Sequence, residues 1–348
     1  MKLRMLMIFI LVVATLVAQA QAADTVVLVT HDSFAISESL LDSFEAQTGL
    51  AVEVLRAGDA GQMVNQAILS KNNPLGDVLY GVDNTFLSRA LAGEIFAAYQ
   101  SPALDTVAAQ FLRDDFFVTP VDFGDVCLNY DIAWFEENEL SLPQSLAELA
   151  DEKYAGLLAV QNPATSSPGL AFLLATIANF GEADEGGYLD YWAALRANDV
   201  LVADGWTDAY YGEFTIGSRG AGTRPLVVSY ASSPPAEVIY AEDPSAGAVT
   251  GALIEDGMCF RQVEYVGALQ GSANQAGAQL LIDFMLSAEF QADMPLNMFV
   301  FPVVEGTELP AEFVEYAQVP AQPAFVAPAD IEAKREAWIQ AWAEAMLR

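Results

Sequence analysis

The chain contains a single histidine, His31, set beside Asp32 and Ser33 in "VTHDSFAIS", residues 29–37. Histidine, carboxylate and hydroxyl together could serve nucleophilic catalysis, metal ligation or recognition of a polar ligand edge. The first two uses lack their usual context. No GxSxG elbow frames a serine. No HExxH or CxxC offers zinc-ligand spacing, and no Walker-type or dinucleotide glycine fingerprint occurs. An enzyme is therefore not expected, and no cofactor.

Aromatic and hydroxyl residues elsewhere support recognition. "DGWTDAYYGEF" places Trp206, Tyr210 and Tyr211 on an expected loop. "VVSYASSPP" leaves Tyr230, Ser232 and Ser233 at a strand exit, ahead of prolines that stop the strand. "NPATSSPG" sets Ser166 and Ser167 before a helix start, where free backbone N–H groups can hold a phosphate or hydroxyl. Trp and Tyr faces attract a cation by about 0.5–2 kcal/mol each. Asp32, Asp59, Asp83 and Asp122 could add charge pairing. Together these residues describe a cleft for a flat organic cation with a polar or phosphorylated tail. The competing reading is that the aromatics are core and the aspartates are helix N-caps.

The elements that must position these residues alternate. "TVVLVT", "LAVEVLRAG" and "GDVLYGV" read as strands, with "ISESLLDSFEAQTG", "GQMVNQAILSK" and "TFLSRALAGE" as helices between and after them. Such a run implies an open, mainly parallel sheet with helices on both faces. Ligands then bind at the carboxyl ends of the strands, in "THDSF", "RAGDAG" and "GVDNT". A second unit begins near "VCLNYD", and "MCFRQVEYVGAL" reads as a return crossing. The expected division is a signal segment over 1–22, a first lobe over 24–126, a second lobe over 127–258, and a return to the first lobe over 259–304. A connection and C-terminal helix over 305–348 have no assigned lobe. Trp338 and Trp342, four apart on that helix, read as packing.

Bulk properties narrow the partners. Apolar residues make up 53% of the 348, enough for a packed interior. The net charge of −33 repels nucleic acid and anionic lipid and favours cations. Lys2 and Arg4, the apolar "MLMIFILVVATLV" and the small-residue "AQAQA" read as a cleaved secretory signal, with no cysteine nearby for a lipid anchor. A periplasmic or secreted monomer without membrane insertion is expected. In that oxidising compartment Cys127 and Cys259, the only cysteines, could pair. They open the two expected crossing strands, so a bridge would tie the hinge together.

In order, "HDSF", "GVDN", "VDFGDVCLNYD", "TSSPGL", "GWTDAYY", "VVSYASSP" and "FQADMPLNMFVFPV" resemble the thiamine-binding periplasmic proteins, the substrate-binding subunits of ABC importers. The resemblance implies a type II periplasmic-binding fold: two α/β lobes, joined by two crossing strands, that close on thiamine or its phosphates. It also implies delivery to a membrane permease with a separate ATPase. Asp32, Asp59, Ser166, Trp206 and Tyr230 match the family pattern. Three aromatics of that pattern are replaced, by His31 before "DSF", by Ala236 beyond "SP", and by Phe299 near "MFVFP". His31 is expected to face the cleft as a flat neutral ring. Ferric-ion-binding proteins of the same fold are the alternative, with Tyr210, Tyr211, His31 and Asp59 as a hard-ligand set.

Overall fold

The computed structural model describes residues 25–243 and 247–347. The expected signal segment, 1–22, lies outside them. Among the described residues, eleven strands form one continuous sheet: β1 (Thr25–Thr30), β2 (Ala51–Arg56), β3 (Val78–Asp83), β4 (Phe96–Ala97), β5 (Thr119–Asp131), β6 (Leu158–Gln161), β7 (Leu201–Ala203), β8 (Leu226–Tyr230), β9 (Thr250–Leu253), β10 (Phe260–Leu269) and β11 (Phe301–Pro302). Its main path runs β2-β1-β3-β10-β5-β8-β6-β7.

The first lobe is built on β2, β1 and β3. They are parallel because a helix follows each of β1 and β2 and carries the chain back. The valines of β1 suit a strand buried on both faces. In the second lobe β7, β6 and β8 are again parallel. The lobes are joined through β5 and β10. β5 pairs with β10 over its first half and with β8 and β9 over its second, so one strand serves both lobes.

β5 begins at Thr119, eight residues earlier than the expected opening at Cys127. Cys127 therefore sits inside the strand, and Cys259 just ahead of β10. They form a disulfide with a Cα–Cα distance of 4.3 Å, at the second-lobe end of the paired segment.

Residues 305–327 return to the second lobe, making a third passage between lobes. The Gln318 N–H donates to the Ala231 carbonyl and the Ala324 N–H to the Cys259 carbonyl. The Pro328–Met346 helix then packs on the second lobe, Trp342 edge-on to Trp192 at 5.5 Å. Trp338 and Trp342 are both buried, as packing requires. On its other side this helix reaches the first lobe through an Arg89–Glu336 ion pair of 2.6 Å.

Candidate functional site

A cavity of about 410 Å³ opens between the lobes, a usual place for a small-molecule site. Its first-lobe wall comes from the loops at the carboxyl ends of β1 and β2. His31 follows the last residue of β1 and is buried over Gly81 of β3. A Cβ at Gly81 would lie 2.2 Å from the His31 ring, and the backbone there has φ +95°, so glycine is required on both counts. His31 Nε2 stands 3.4 Å from Glu264 Oε1 on β10. Burial pulls the imidazole pKa down, but Glu264, with Asp59 and Asp32 beyond it, more than offsets this and the pKa is raised. Burial likewise pushes Glu264 up, and His31, with the hydrogen bonds of Asp122 and Tyr80, more than reverses it, leaving that carboxyl below its usual range. His31 therefore faces a buried carboxylate that favours its protonated form, where the sequence suggested a neutral stacking ring.

Asp32 is exposed at the cleft and accepts from the Gly58 N–H at 3.1 Å, tying the first two loops together. Asp59 caps the Ala60–Leu69 helix through the Ala60 N–H and also accepts from the Trp206 N–H of the other lobe at 2.8 Å. Burial raises its pKa, and those two amides partly restrain the rise. The lobes also touch where the Gly61 N–H donates to the Thr165 carbonyl at 2.9 Å. A Cβ at Gly61 would come within 2.8 Å of the Ala164 and Thr165 carbonyl oxygens, so this approach needs glycine.

The second-lobe wall is aromatic. Trp206 stacks on Tyr210, with centroids 4.9 Å apart and planes 17° apart, and Tyr211 stands edge-on to both. The segment expected as a loop is a π-helical turn, Asp208–Glu213, a form frequent at functional sites. Trp206 Nε1 donates to Ser229 Oγ at 2.9 Å, and that hydroxyl is 3.0 Å from Ser233 Oγ. Tyr230 donates to Gln262 Oε1 at 3.0 Å. His31, Asp32, Asp59, Trp206, Tyr210, Tyr230, Ser233 and Phe299 of the predicted set all line this cavity.

Four predicted residues do not line it. Asp83 is fully buried at the end of β3, accepting from Thr85 Oγ1, the Phe86 N–H and, across the lobes, Ser167 Oγ at 2.9 Å. Burial raises its pKa to about 6. Asp122 lies within β5, accepting from Tyr80 Oη at 2.5 Å opposite Glu264. Burial, then the Glu264 charge, raises its pKa well above the usual range. Ser166, at the N-cap of the Ser167–Phe180 helix, is buried, and its neighbours Ser167 and Pro168 reach the cleft instead. Ser232 is buried while Ser233 faces the cavity.

The four residues of the hard-ligand set all line this cavity, but one phenol is engaged elsewhere. Tyr210 is 1% exposed and donates its phenol proton to Glu237 Oε1 at 3.0 Å. Burial and Glu237 push its pKa well up, which opposes a phenolate ligand. No cluster of three or more His, Cys, Asp or Glu suited to a metal occurs among the described residues.

Glu264 and Tyr240 are among the lining residues that escaped the sequence reading. Glu264 is a charged residue in the otherwise apolar "VEYVGAL", and that mismatch was its signal. Tyr240 sits one helical turn beyond Ala236, its N–H donating to the Ala236 carbonyl. Its ring meets Phe299 of the other lobe edge-on at 5.9 Å. Ala236 and Tyr240, four apart, share one helix face toward the cavity, so an aromatic ring lies beside Ala236.

The profile described as bacterial extracellular solute-binding protein matches residues 73–324. The thiamine-binding periplasmic protein of Escherichia coli K12 is 30% identical over 324 residues, 92% of each chain. Its counterpart in Salmonella typhimurium is 29% identical over 95% of this chain and 96% of its own. A solved periplasmic thiamin binding protein superposes with a TM-score of 0.81 at 28% identity, covering 93% of this chain and 96% of its own. The apo ferric ion-binding protein A of Pasteurella haemolytica, at TM-score 0.72 and 19% identity over 93% and 98%, shares the fold alone. With most of its length matched by the family profile and its lobes superposing on a solved relative, this chain belongs to the bacterial extracellular solute-binding proteins and has their type II periplasmic-binding fold.

Proposed function

We propose that this protein captures thiamine in the interlobe cleft and delivers it to an ABC importer in the cell envelope. The observation that carries the reading is the pairing of two unlike walls. An aromatic wall on the second lobe faces a carboxylate-bearing wall on the first, across a cavity sized for a small molecule. Aromatic faces and carboxylates both favour a flat cation, and the curated relatives that span the chain are thiamine-binding by name. In this reading the chain is a binding protein and not an enzyme, works as a monomer, and reaches the periplasm by loss of residues 1–22. Among the described residues no helix is long and apolar enough to cross a membrane. The importer's permease and ATPase are its macromolecular partners.

Native mass spectrometry of the purified protein with thiamine and ferric ion added together tests the reading. A one-to-one adduct of thiamine's mass is expected. An iron adduct without thiamine would overturn it.

A further inference from the structure

A contact between the lobes lies outside the ligand cavity, on the C-terminal helix, Pro328–Met346. By its packing this helix belongs to the second lobe. Besides Trp342 on Trp192, its Trp338 Nε1 donates to Glu182 Oε2 at 2.9 Å, and Lys334 pairs with Glu182 Oε1 at 2.7 Å. Arg335 of the same helix is buried against the first lobe. Its Nη1 meets Ser88 Oγ at 3.3 Å and the carbonyls of Thr85 and Phe86 at 3.4 Å and 3.5 Å. Its guanidinium lies over the Phe86 ring.

Glu336 completes the contact. Its Oε1 accepts from Arg335 Nη2 at 2.8 Å and from Arg89 Nη1 of the first lobe at 2.6 Å. One carboxylate oxygen thus bridges two like charges, one from each lobe, that otherwise repel. Arg335 and Glu336 grip residues 85–89, which follow Asp83 at the carboxyl end of β3. That is the side of the first lobe facing the cleft, and Asp83 itself is bonded across the lobes to Ser167. Lobes that part at the cleft therefore draw 85–89 away from the helix. Thr85, Phe86, Ser88, Arg89, Arg335 and Glu336 do not line the cavity, so the contact bears on lobe placement and not on the ligand's own partners.

We infer that the C-terminal helix is an interlobe clasp: Arg335 and Glu336 engage residues 85–89 when the cleft closes and slow its reopening. The clasp goes beyond the thiamine reading and does not depend on it.

Amide hydrogen exchange on the purified protein, without ligand, tests the clasp. The Gly61 and Trp206 amides are bonded across the lobes, to the Thr165 carbonyl and to Asp59, so their exchange reports parting. Glu336→Gln, at an exposed position, leaves Arg89 and Arg335 without their shared carboxylate. Both amides should then exchange about twofold to fivefold faster. Adding Arg89→Gln removes one of the two like charges and should return about half or more of that gain. The acceleration should shrink in about 0.5 M salt, where screening is strong. Thiamine release, followed by stopped flow, should quicken by the same factor. Unaltered exchange at both amides would overturn the clasp, as would faster exchange confined to the C-terminal helix. A parent protein that binds no thiamine would overturn the thiamine reading, and the exchange result would still decide the clasp.

Discussion

The two walls of the cleft are made in different ways. The second-lobe wall is a stack: Trp206 on Tyr210, Tyr211 edge-on, with Tyr230 and Tyr240 beside them. Its rings are held by one another and by hydrogen bonds within that lobe, such as Trp206 Nε1 to Ser229. The first-lobe wall is a set of charges gathered from three separate strands, His31 after β1, Asp59 after β2 and Glu264 on β10. One wall supplies apolar surface and π-faces; the other supplies field. Neither surrounds a ligand alone, so capture needs both lobes together. The contrast also predicts different failures: loss of an aromatic should cost affinity directly, whereas loss of a buried acid should alter how the protein responds to pH.

The largest effect is expected at Asp83, where the walls meet. Its folded pKa, about 6, exceeds the unfolded value of 3.8. Stability from its neutral form is therefore complete below the unfolded pKa and is lost as pH rises through about 6. A shift of that size corresponds to about 3 kcal/mol. Asp83→Asn cannot titrate. Between about pH 4 and about pH 7.5 it should gain about 2–3 kcal/mol on the parent in urea unfolding. A variant that tracks the parent at every pH would show that Asp83 is not held neutral by burial.

Next comes Trp206→Ala. It removes the ring at the centre of the aromatic wall, and thiamine affinity should fall well beyond tenfold, above about 1.4 kcal/mol. Circular dichroism should show the fold intact, since Trp206 is only half-buried. Unchanged affinity would break the picture of an aromatic wall.

The smallest effect belongs to Tyr240→Ala. Tyr240 is 62% exposed and touches the first lobe through Phe299. An edge-on pair contributes about 0.5–1.5 kcal/mol, so affinity should drop about threefold to tenfold. Stopped-flow measurement should place that loss in faster release, because the contact spans the cleft mouth. Slower association with unaltered release would mean that Tyr240 acts on entry.

Much of this arrangement could be read along the chain. Alternating strands and helices placed "THDSF" and "RAGDAG" at strand ends, and those loops supply His31, Asp32 and Asp59. Trp206 and Tyr230 were legible because large aromatics beside glycine, serine and proline are poorly suited to a regular core. Asp122 was a candidate by residue type alone; that it meets Tyr80 and faces Glu264 across the β5–β10 pairing appears only in the fold. Ser166 and Ser232 each lost the cleft to the next residue, since side-chain direction at a helix or strand end turns on a single position.

The order of elements, the two-lobe plan, the aromatic inventory and the even cysteine count are local properties, carried by periodicity and residue type. The His31–Glu264 pair joins residues more than two hundred positions apart, and the Asp59–Trp206 contact exists only where the lobes meet. Charge state at the site was likewise decided by folding. Burial and neighbours, not residue type, raise the pKa of Asp122 and Asp83 and lower that of Glu264. An ionisable side chain takes its pKa from what surrounds it in space, and only the tertiary structure assembles those surroundings.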